Sequence, residues 1–511
     1  MKRRIQFVTL LLFCAFCAAP AAPLGKSQAS PKSAETIQID AQAPTTPFPH
    51  YWERMFGSGR ASLSLRESYR RDLGAVKAAT GFEYVRSHAI FHDEVGLYNE
   101  NSQGQAVYNF TYVDQIYDGL LEHGVRPFVE LSFMPQQLAS KPTLFPFWYH
   151  PNNSPPKNWG RWGDLIEAFV RHLVTRYGID EVSSWYFEVW NEPNIDFWSG
   201  EPKEATYYRL YDESARAIKR VSPNLRVGGP STAQAAWVDR FIRHCAEGNI
   251  PVDFVSTHVY GNDTSQDVFG TSEVIPRNQM VPRAVQKVHD QVKASAKPDL
   301  PIIFSEYNAA YDNQVAVTDS PYMGPWLAYT ISRCAGLVDI MSYWSFSDVF
   351  EEQGVVSRPF YGGFGLIAAG NIPKASFNAF KLLHDLGDRR LPVNSNSALA
   401  TGRADGALAI AVWNYAPPEE TGLSQQITLL LRGLPRQHHA RLRWVDAQHG
   451  SALTAWRAMG EPNFPSREQQ RQLRDASQLA PAEALPMTRG DSPSATLTLA
   501  PHSLALIEIT R

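Results

Sequence analysis

Two glutamates stand where short apolar runs give way to polar residues. One lies in Trp190-Asn191-Glu192-Pro193-Asn194, the other in Phe304-Ser305-Glu306-Tyr307-Asn308. Each run reads as a strand, so each carboxyl group sits at a strand end. Pro193 stops the first strand, having no N–H for a ladder. Two carboxyl groups facing one another across a cleft can cleave a glycosidic bond. One protonates the leaving oxygen, and the other attacks the anomeric carbon or activates water. Glu461-Pro462-Asn463 repeats Glu-Pro-Asn without the preceding strand, and no function is assigned to it.

Other polar and aromatic side chains fall at similar places. Arg86, at the end of an earlier run, is either the cation beside Glu306 or the partner of an inward-facing Glu188. His258 and Tyr260 stand at i and i+2, so on a strand they face the same way. Asn191 and Glu192 are adjacent and should face opposite ways, unless a bulge-like distortion brings both to the cleft. His88, His92 and Asp93 form a cluster that reads as hydroxyl contacts rather than a metal site. Phe133 and Trp344 are candidates for stacking on a pyranose, packing in the core being the alternative. Glu351 and Glu352 are expected acceptors for sugar hydroxyls that would repel a uronic-acid carboxylate, although Arg358 follows in the same segment.

Stepping outward, eight strand-like runs precede residue 350: Met55–Gly59, Phe82–Ser87, Arg126–Ser132, Tyr186–Trp190, Leu225–Gly229, Phe254–Thr257, Pro301–Ser305 and Ile340–Trp344. Helical stripes alternate with them, such as Val113, Ile116, Tyr117 and Leu120, or Leu165, Ile166, Phe169, Val170 and Leu173. Strands that alternate with helices in this way predict a (β/α)₈ barrel, an α/β fold whose active site lies at the C-terminal strand ends. Glu192 and Glu306 would then project from strands four and seven. Beyond about residue 388 the runs Ala407–Trp413, Gln426–Leu431, Ala440–Val445, Thr496–Leu499 and Leu504–Ile509 lack intervening long helices and predict a smaller antiparallel β-sandwich. The expected organisation is a leader over 1–21, a linker with one candidate strand over 22–48, the barrel over 49–387 and the sandwich over 388–511.

Trp-Asn-Glu-Pro at strand four and Glu306 at strand seven resemble the clan A glycoside hydrolases. Trp185–Trp198 (WYFEVWNEPNIDFW), Phe56–Arg66, Arg86–Tyr98, Glu130–Ser140, Ser256–Gly261 and Phe346–Gly354 resemble family 39 in particular. That resemblance implies a retaining mechanism with Glu192 as acid/base and Glu306 as nucleophile. It implies that Asn191 binds the sugar 2-hydroxyl, and that His258 and Tyr260 hold the sugar and orient Glu306. It implies that residues Thr36–Ala41 join the sandwich. The family holds β-xylosidases and α-L-iduronidases, and the acidic pair at Glu351-Glu352 favours a neutral pentose. An arabinosidase, an endo-acting hydrolase and a carbohydrate-binding protein on a barrel scaffold remain the alternatives. The resemblance requires no cofactor or metal.

The 511 residues carry a formal charge of −3, which argues against a nucleic-acid partner; the carbohydrate partner is what the resemblance implies. No HExxH or mature CxxC spacing suggests a metal centre. Cys245 and Cys334 read as buried thiols. Lys2-Arg3-Arg4, the apolar run Ile5–Cys17 and the small residues Ala19-Pro20-Ala21 make a secretory signal peptide, so the mature protein is expected in the periplasm or outside the cell. N-terminal sequencing of exported protein is expected to start near Ala22; retention of Met1 would rule out cleavage.

Overall fold

The computed structural model describes residues 32–435 and 437–510; the expected leader lies outside them. The eight runs form strands β1 (Met55–Arg60), β2 (Tyr84–His88), β3 (Arg126–Leu131), β4 (Tyr186–Val189), β5 (Arg226–Thr232), β6 (Phe254–Tyr260), β7 (Ile302–Asn308) and β8 (Ile340–Tyr343). Each is followed by a long helix: α1 (Glu67–Ala79), α2 (Thr111–Glu122), α3 (Trp159–Tyr177), α4 (Lys203–Val221), α5 (Val238–Glu247), α6 (Arg277–Lys293), α7 (Met323–Cys334) and α8 (Ala375–His384). The strands pair in parallel and in chain order, and β8 closes on β1 through Ser342 beside Met55 and Tyr343 beside Phe56. This is the (β/α)₈ barrel expected from the alternation.

The barrel closes because its strands are apolar on both faces and its helices on one. Val113, Ile116, Tyr117 and Leu120 of α2 are all buried, as are Leu165, Ile166, Phe169, Val170 and Leu173 of α3. Inside the barrel, Met55, Tyr84, Phe128, Tyr186, Phe254, Ile303 and Ile340 form an apolar cluster drawn from seven strands. The remaining strand, β5, contributes Gly228, where a Cβ would fall 2.6 Å from the Phe254 ring. Two residues further along their strands, Arg86, Glu130 and Glu188 replace the apolar side chains, and all three are fully enclosed. The polar chemistry therefore begins immediately above a dry floor.

The accessory region has two sheets. Seven strands pair antiparallel in the order Thr46–Pro47, Arg389–Leu391, Ala398–Gly402, Leu408–Asn414, Ser503–Thr510, His439–Val445 and Glu483–Ala484. Lys32–Asp40, Gln425–Arg432 and Ser494–Leu499 form the other sheet. Ile37, Ile39, Ile410, Val412, Ile427, Leu429 and Ile507 share one core. Lys32–Asp40 runs parallel to Gln425–Arg432, so the sandwich is not wholly antiparallel as expected. A strand arriving from the opposite end of the chain has no hairpin to fix its direction. Cys245 and Cys334 are both buried free thiols.

The segment after β8 is fastened at its root. Lys374 Nζ lies 2.6 Å from both Asp319 Oδ1 and Asp348 Oδ2, and donates to the Gly363 carbonyl at 2.8 Å. The two carboxylates in turn accept the backbone N–H groups of Gly362 and Gly365 at 2.6 and 2.7 Å. All three charged side chains are fully buried. Removing one member of such a group strands the others' charge in the core. Lys374→Ala is therefore expected to destabilise the protein by about 3–5 kcal/mol. Denaturant unfolding checks this, and a loss under about 1 kcal/mol would show that the three charges are not tightly coupled.

Candidate active site

A cavity of about 310 Å³ opens at the C-terminal mouth of the barrel, with Glu192 and Glu306 both in its wall. One oxygen of each carboxyl group and one ring nitrogen of His258 lie within 4.8 Å of one another. Five acidic side chains line the cavity, namely Glu192, Asp263, Asp267, Glu306 and Glu352. Among the described lining residues His88 is the one basic side chain.

Glu306 sits near the end of β7 and is held from two sides. Arg86 Nη1 donates to its Oε1 at 2.6 Å, and the Tyr260 hydroxyl donates to Oε2 at 2.5 Å. Arg86 is itself shared. Its Nε donates to Glu188 at 2.6 Å, and its Nη2 lies 2.7 Å from Glu130 and 2.9 Å from the Asn191 side-chain oxygen. The two sequence alternatives for Arg86, partner of Glu306 and partner of Glu188, are thus both realised. His88 caps the group, its Nδ1 2.7 Å from Glu130 and its Nε2 3.8 Å from Glu306. Burial raises the Glu306 pKa, and Arg86, His88 and the Tyr260 hydrogen bond oppose that rise without cancelling it. Arg86 was expected to hold this pKa down; it limits the rise and does not bring the value below the ordinary one, because burial outweighs it.

Glu192 follows the end of β4. Trp190 and Glu192 adopt left-handed backbone angles, φ 70° and 46°, so the chain leaves regular strand geometry at Trp190. The Glu192 N–H donates to the Ser231 carbonyl at 2.7 Å. Trp190 is buried against Trp198, their ring centroids 4.9 Å apart, while Asn191 and Glu192 both reach the cavity. The distortion that adjacent functional residues require is therefore present. Burial, the neighbouring Glu306 and then Asp263 push the Glu192 pKa well above the usual carboxylate range. No cation touches its carboxyl group among the described residues; its neighbour is His258 Nδ1 at 2.9 Å. Burial, Arg86 and His88 hold the His258 pKa well below its ordinary value. The two glutamates therefore differ in their propensity to keep a proton, Glu192 more and Glu306 less.

His258 and Tyr260 face inward together, since β6 shifts register against β7 between Thr257 and His258 and places His258 opposite Glu306. His88, Asn191, Tyr260, Trp344 and Glu352 line the cavity. His258, expected to hold the sugar, is instead fully buried beneath it, against Glu192 at 2.9 Å and Glu306 at 3.7 Å. Two further expected contacts are displaced. Glu351 takes φ 73° and turns away to pair with Arg60 at 3.0 Å and with Arg66, so it does not line the cavity. Phe133 is fully buried behind the wall, edge-on to Trp190 at 5.5 Å, and Phe147 and Phe197 supply the aromatic surface instead. Arg358 is exposed and lies in a separate groove beside Phe464. Glu130, Ser305, Gln234 and Asp263 belong to the site or its support and were not singled out from sequence. Glu130 alone had a signal, a charge inside an otherwise apolar strand.

The profile of Glycosyl hydrolases family 39 matches residues 35–490. A β-xylosidase of Geobacillus stearothermophilus is 37% identical over 473 residues, covering 90% of this chain and 93% of that protein. The crystal structure of a monomeric β-xylosidase from Caulobacter crescentus CB15 superposes with a TM-score of 0.84 at 35% identity, over 93% of this chain and 99% of the other. The α-L-iduronidase of Homo sapiens is more distant, 24% identical over 99% of this chain and 82% of its own. The chain belongs to the glycosyl hydrolases of family 39.

Proposed function

We propose that this glycosidase is an exported, retaining β-xylosidase that removes terminal xylosyl residues. The observation that carries the reading is the close, unequal carboxyl pair. Oxygens of Glu192 and Glu306 lie within 4.8 Å. Retaining pairs stand about 5–5.5 Å apart, whereas inverting pairs leave about 6.5–9.5 Å for a water. Glu306, braced by Arg86 and Tyr260, attacks the anomeric carbon as a carboxylate. Glu192 supplies the proton to the leaving oxygen and later takes one from water. Asn191, its amide oxygen committed to Arg86, keeps its NH₂ group for a sugar hydroxyl.

The β-xylosidase names of the relatives at 34–37% identity support the choice of sugar. So does the lining of the cavity. Among its described residues no arginine or lysine stands ready to pair with a uronic-acid carboxylate, and Arg358 lies in a separate groove. The small volume, at the lower end of ligand sites, suits a short saccharide. The leader features read from residues 1–21 support export.

A panel of aryl xylosides, arabinosides, glucosides and iduronides tests the substrate. Faster turnover of the iduronide would overturn the assignment. Glu306→Ala should lose activity on every substrate. Glu192→Ala should cost natural xylosides about 10²–10⁴-fold yet release a burst of phenolate from a dinitrophenyl xyloside, with azide accelerating turnover. The reverse pattern would exchange the two roles.

Glu352 yields a separate expectation. Burial, together with Glu306 and Glu130 and against the pull of His88, pushes its pKa up to about 8. It is therefore a neutral acid below that pH, able to donate as well as accept, rather than the charged acceptor its acidic neighbour in sequence suggests. Glu352→Gln should leave kcat/KM nearly unchanged below pH 7, while Glu352→Ala should cost about 1–3 kcal/mol of transition-state binding. A large loss in the Gln variant at pH 6 would mean that the charge itself is used.

A further inference from the structure

Ser305 precedes Glu306 on β7, is fully buried and is absent from the cavity wall. Its hydroxyl donates to Glu188 Oε1 at 2.6 Å. The other oxygen of Glu188 receives Arg86 Nε at 2.6 Å, which fixes the carboxylate in place. A hydroxyl has a single proton, so with that proton committed to Glu188 the Ser305 oxygen can only accept from His258 Nε2, 3.1 Å away. A neutral imidazole carries one N–H. If Nε2 bears it, Nδ1 presents a bare lone pair, 2.9 Å from Glu192 Oε1 and 3.7 Å from Glu306 Oε2. Only a proton on Glu192 satisfies that lone pair.

We propose that Ser305 is a positioning residue for acid/base catalysis: it accepts the Nε2–H of His258 and so fixes the tautomer whose Nδ1 holds the proton of Glu192. The inference rests on Glu192 being the acid/base of the proposed reaction. In the first step the Glu192 O–H bond breaks and its proton passes to the glycosidic oxygen. That oxygen leaves with the C–O electron pair as a hydroxyl, while a Glu306 oxygen bonds to the anomeric carbon. Ionised Glu192 then faces a lone pair with no donor. The ring cannot relieve this by moving its proton to Nδ1 without stripping Ser305 of its donor. In the second step Glu192 takes a proton from water, the water oxygen bonds to the anomeric carbon, and the bond to Glu306 breaks with its electrons returning to the carboxylate. The O–H to Nδ1 hydrogen bond is restored. The same tautomer thus retains the proton before the first step and favours its recovery in the second.

Other charges also act on Glu192. Glu306 from β7, Asp263 from the segment after β6 and Glu352 from the segment after β8 raise its pKa, and Arg86 from β2 lowers it. His258 itself feels Arg86 and His88. Replacing Ser305 by alanine removes none of these charges but does take a hydrogen bond from Glu188, the partner of Arg86, so the shift in Glu192 titration is read together with the His258 ring spectrum, which a change at Arg86 alone would not move.

Nitrogen-15 NMR of the histidine rings in the intact enzyme should find His258 protonated at Nε2 and bare at Nδ1. In Ser305→Ala, Nε2 loses its acceptor and the proton should move toward Nδ1, where it favours ionised Glu192. The basic limb of kcat/KM against pH, on a xyloside with a poor leaving group, should then move to lower pH by about 0.5–1 unit. The plateau below the limb should largely remain, and Ser305→Thr should restore the limb. A ring protonated at Nδ1 in the wild type, or an unmoved limb in folded Ser305→Ala, would overturn the proposal. A rate lowered equally at every pH would do the same, marking a merely structural serine. Should Ser305→Ala fail to fold, Ser305→Cys carries the same readouts and the wild-type spectrum decides alone. An enzyme that cleaves no xyloside would count against the proposed function, while the ring spectrum would still report the tautomer.

Discussion

Arg86 is fully buried with three glutamates around it, and the centre of the protein is arranged to make that tolerable. Glu130, Glu188 and Glu306 each place an oxygen within 2.7 Å of its guanidinium, and the Asn191 amide oxygen accepts from it as well. A buried charge of either sign costs several kcal/mol unless its partners are well placed. A guanidinium suits this task because its five donors point in fixed directions and it remains charged. The apolar layer beneath excludes water from below, which strengthens each of these contacts. Glu306, Asn191 and Glu188, the acceptor of the Ser305 hydroxyl, are therefore oriented by one side chain. A substitution at Arg86 would leave Glu130 and Glu306 sharing His88, and Glu188 with Ser305 alone.

The second constraint is how the segment after β8 is held. Lys374 ties Asp319 to Asp348 at its root, and Arg60 and Arg66 take hold of Glu351 near its middle. Glu351 and Glu352 are adjacent, so anchoring one outward presents the other inward. The left-handed backbone at Glu351 is the local cost of that arrangement. The same device appears after β4, where positive φ at Trp190 and Glu192 seats a tryptophan in the core and a carboxyl group in the cavity. In both places backbone strain serves to give neighbouring residues different destinations.

This explains what was legible in the sequence. The barrel could be read because each strand is an apolar run and each helix an apolar stripe, signals that lie within a dozen residues. Glu192 and Glu306 could be read because they follow such runs. The sorting of Glu351 from Glu352 could not, since it depends on Arg60 and Arg66, almost 300 residues away, and on a backbone angle that no residue type announces. Phe133 was misplaced for a related reason: at a strand end, core and cavity are one rotation apart. Thr46–Pro47, Arg389–Leu391 and Ala398–Gly402 were missed because strands of two to five residues carry too little pattern. Ser305 has no sequence signal at all; its significance lies in which neighbour its single proton serves.

The cavity also poses a problem of proton distribution. Five acidic groups face a small enclosed volume, and the nearby cations, Arg86 and His88, are already paired with Glu130 and, for Arg86, Glu188. The site cannot hold all five ionised. Burial pushes Asp263 up to about 7 and Glu352 up to about 8, and burial together with the charge of Glu306 pushes Glu192 well above its ordinary value. Among the buried acids Glu306, the one in contact with Arg86, is left best able to stay ionised. The proposed division of labour between nucleophile and acid thus follows from scarcity of positive charge. One arginine favours the carboxylate of Glu306, and Glu192, beyond its reach, is favoured to keep its proton, which is the state in which it could give that proton away.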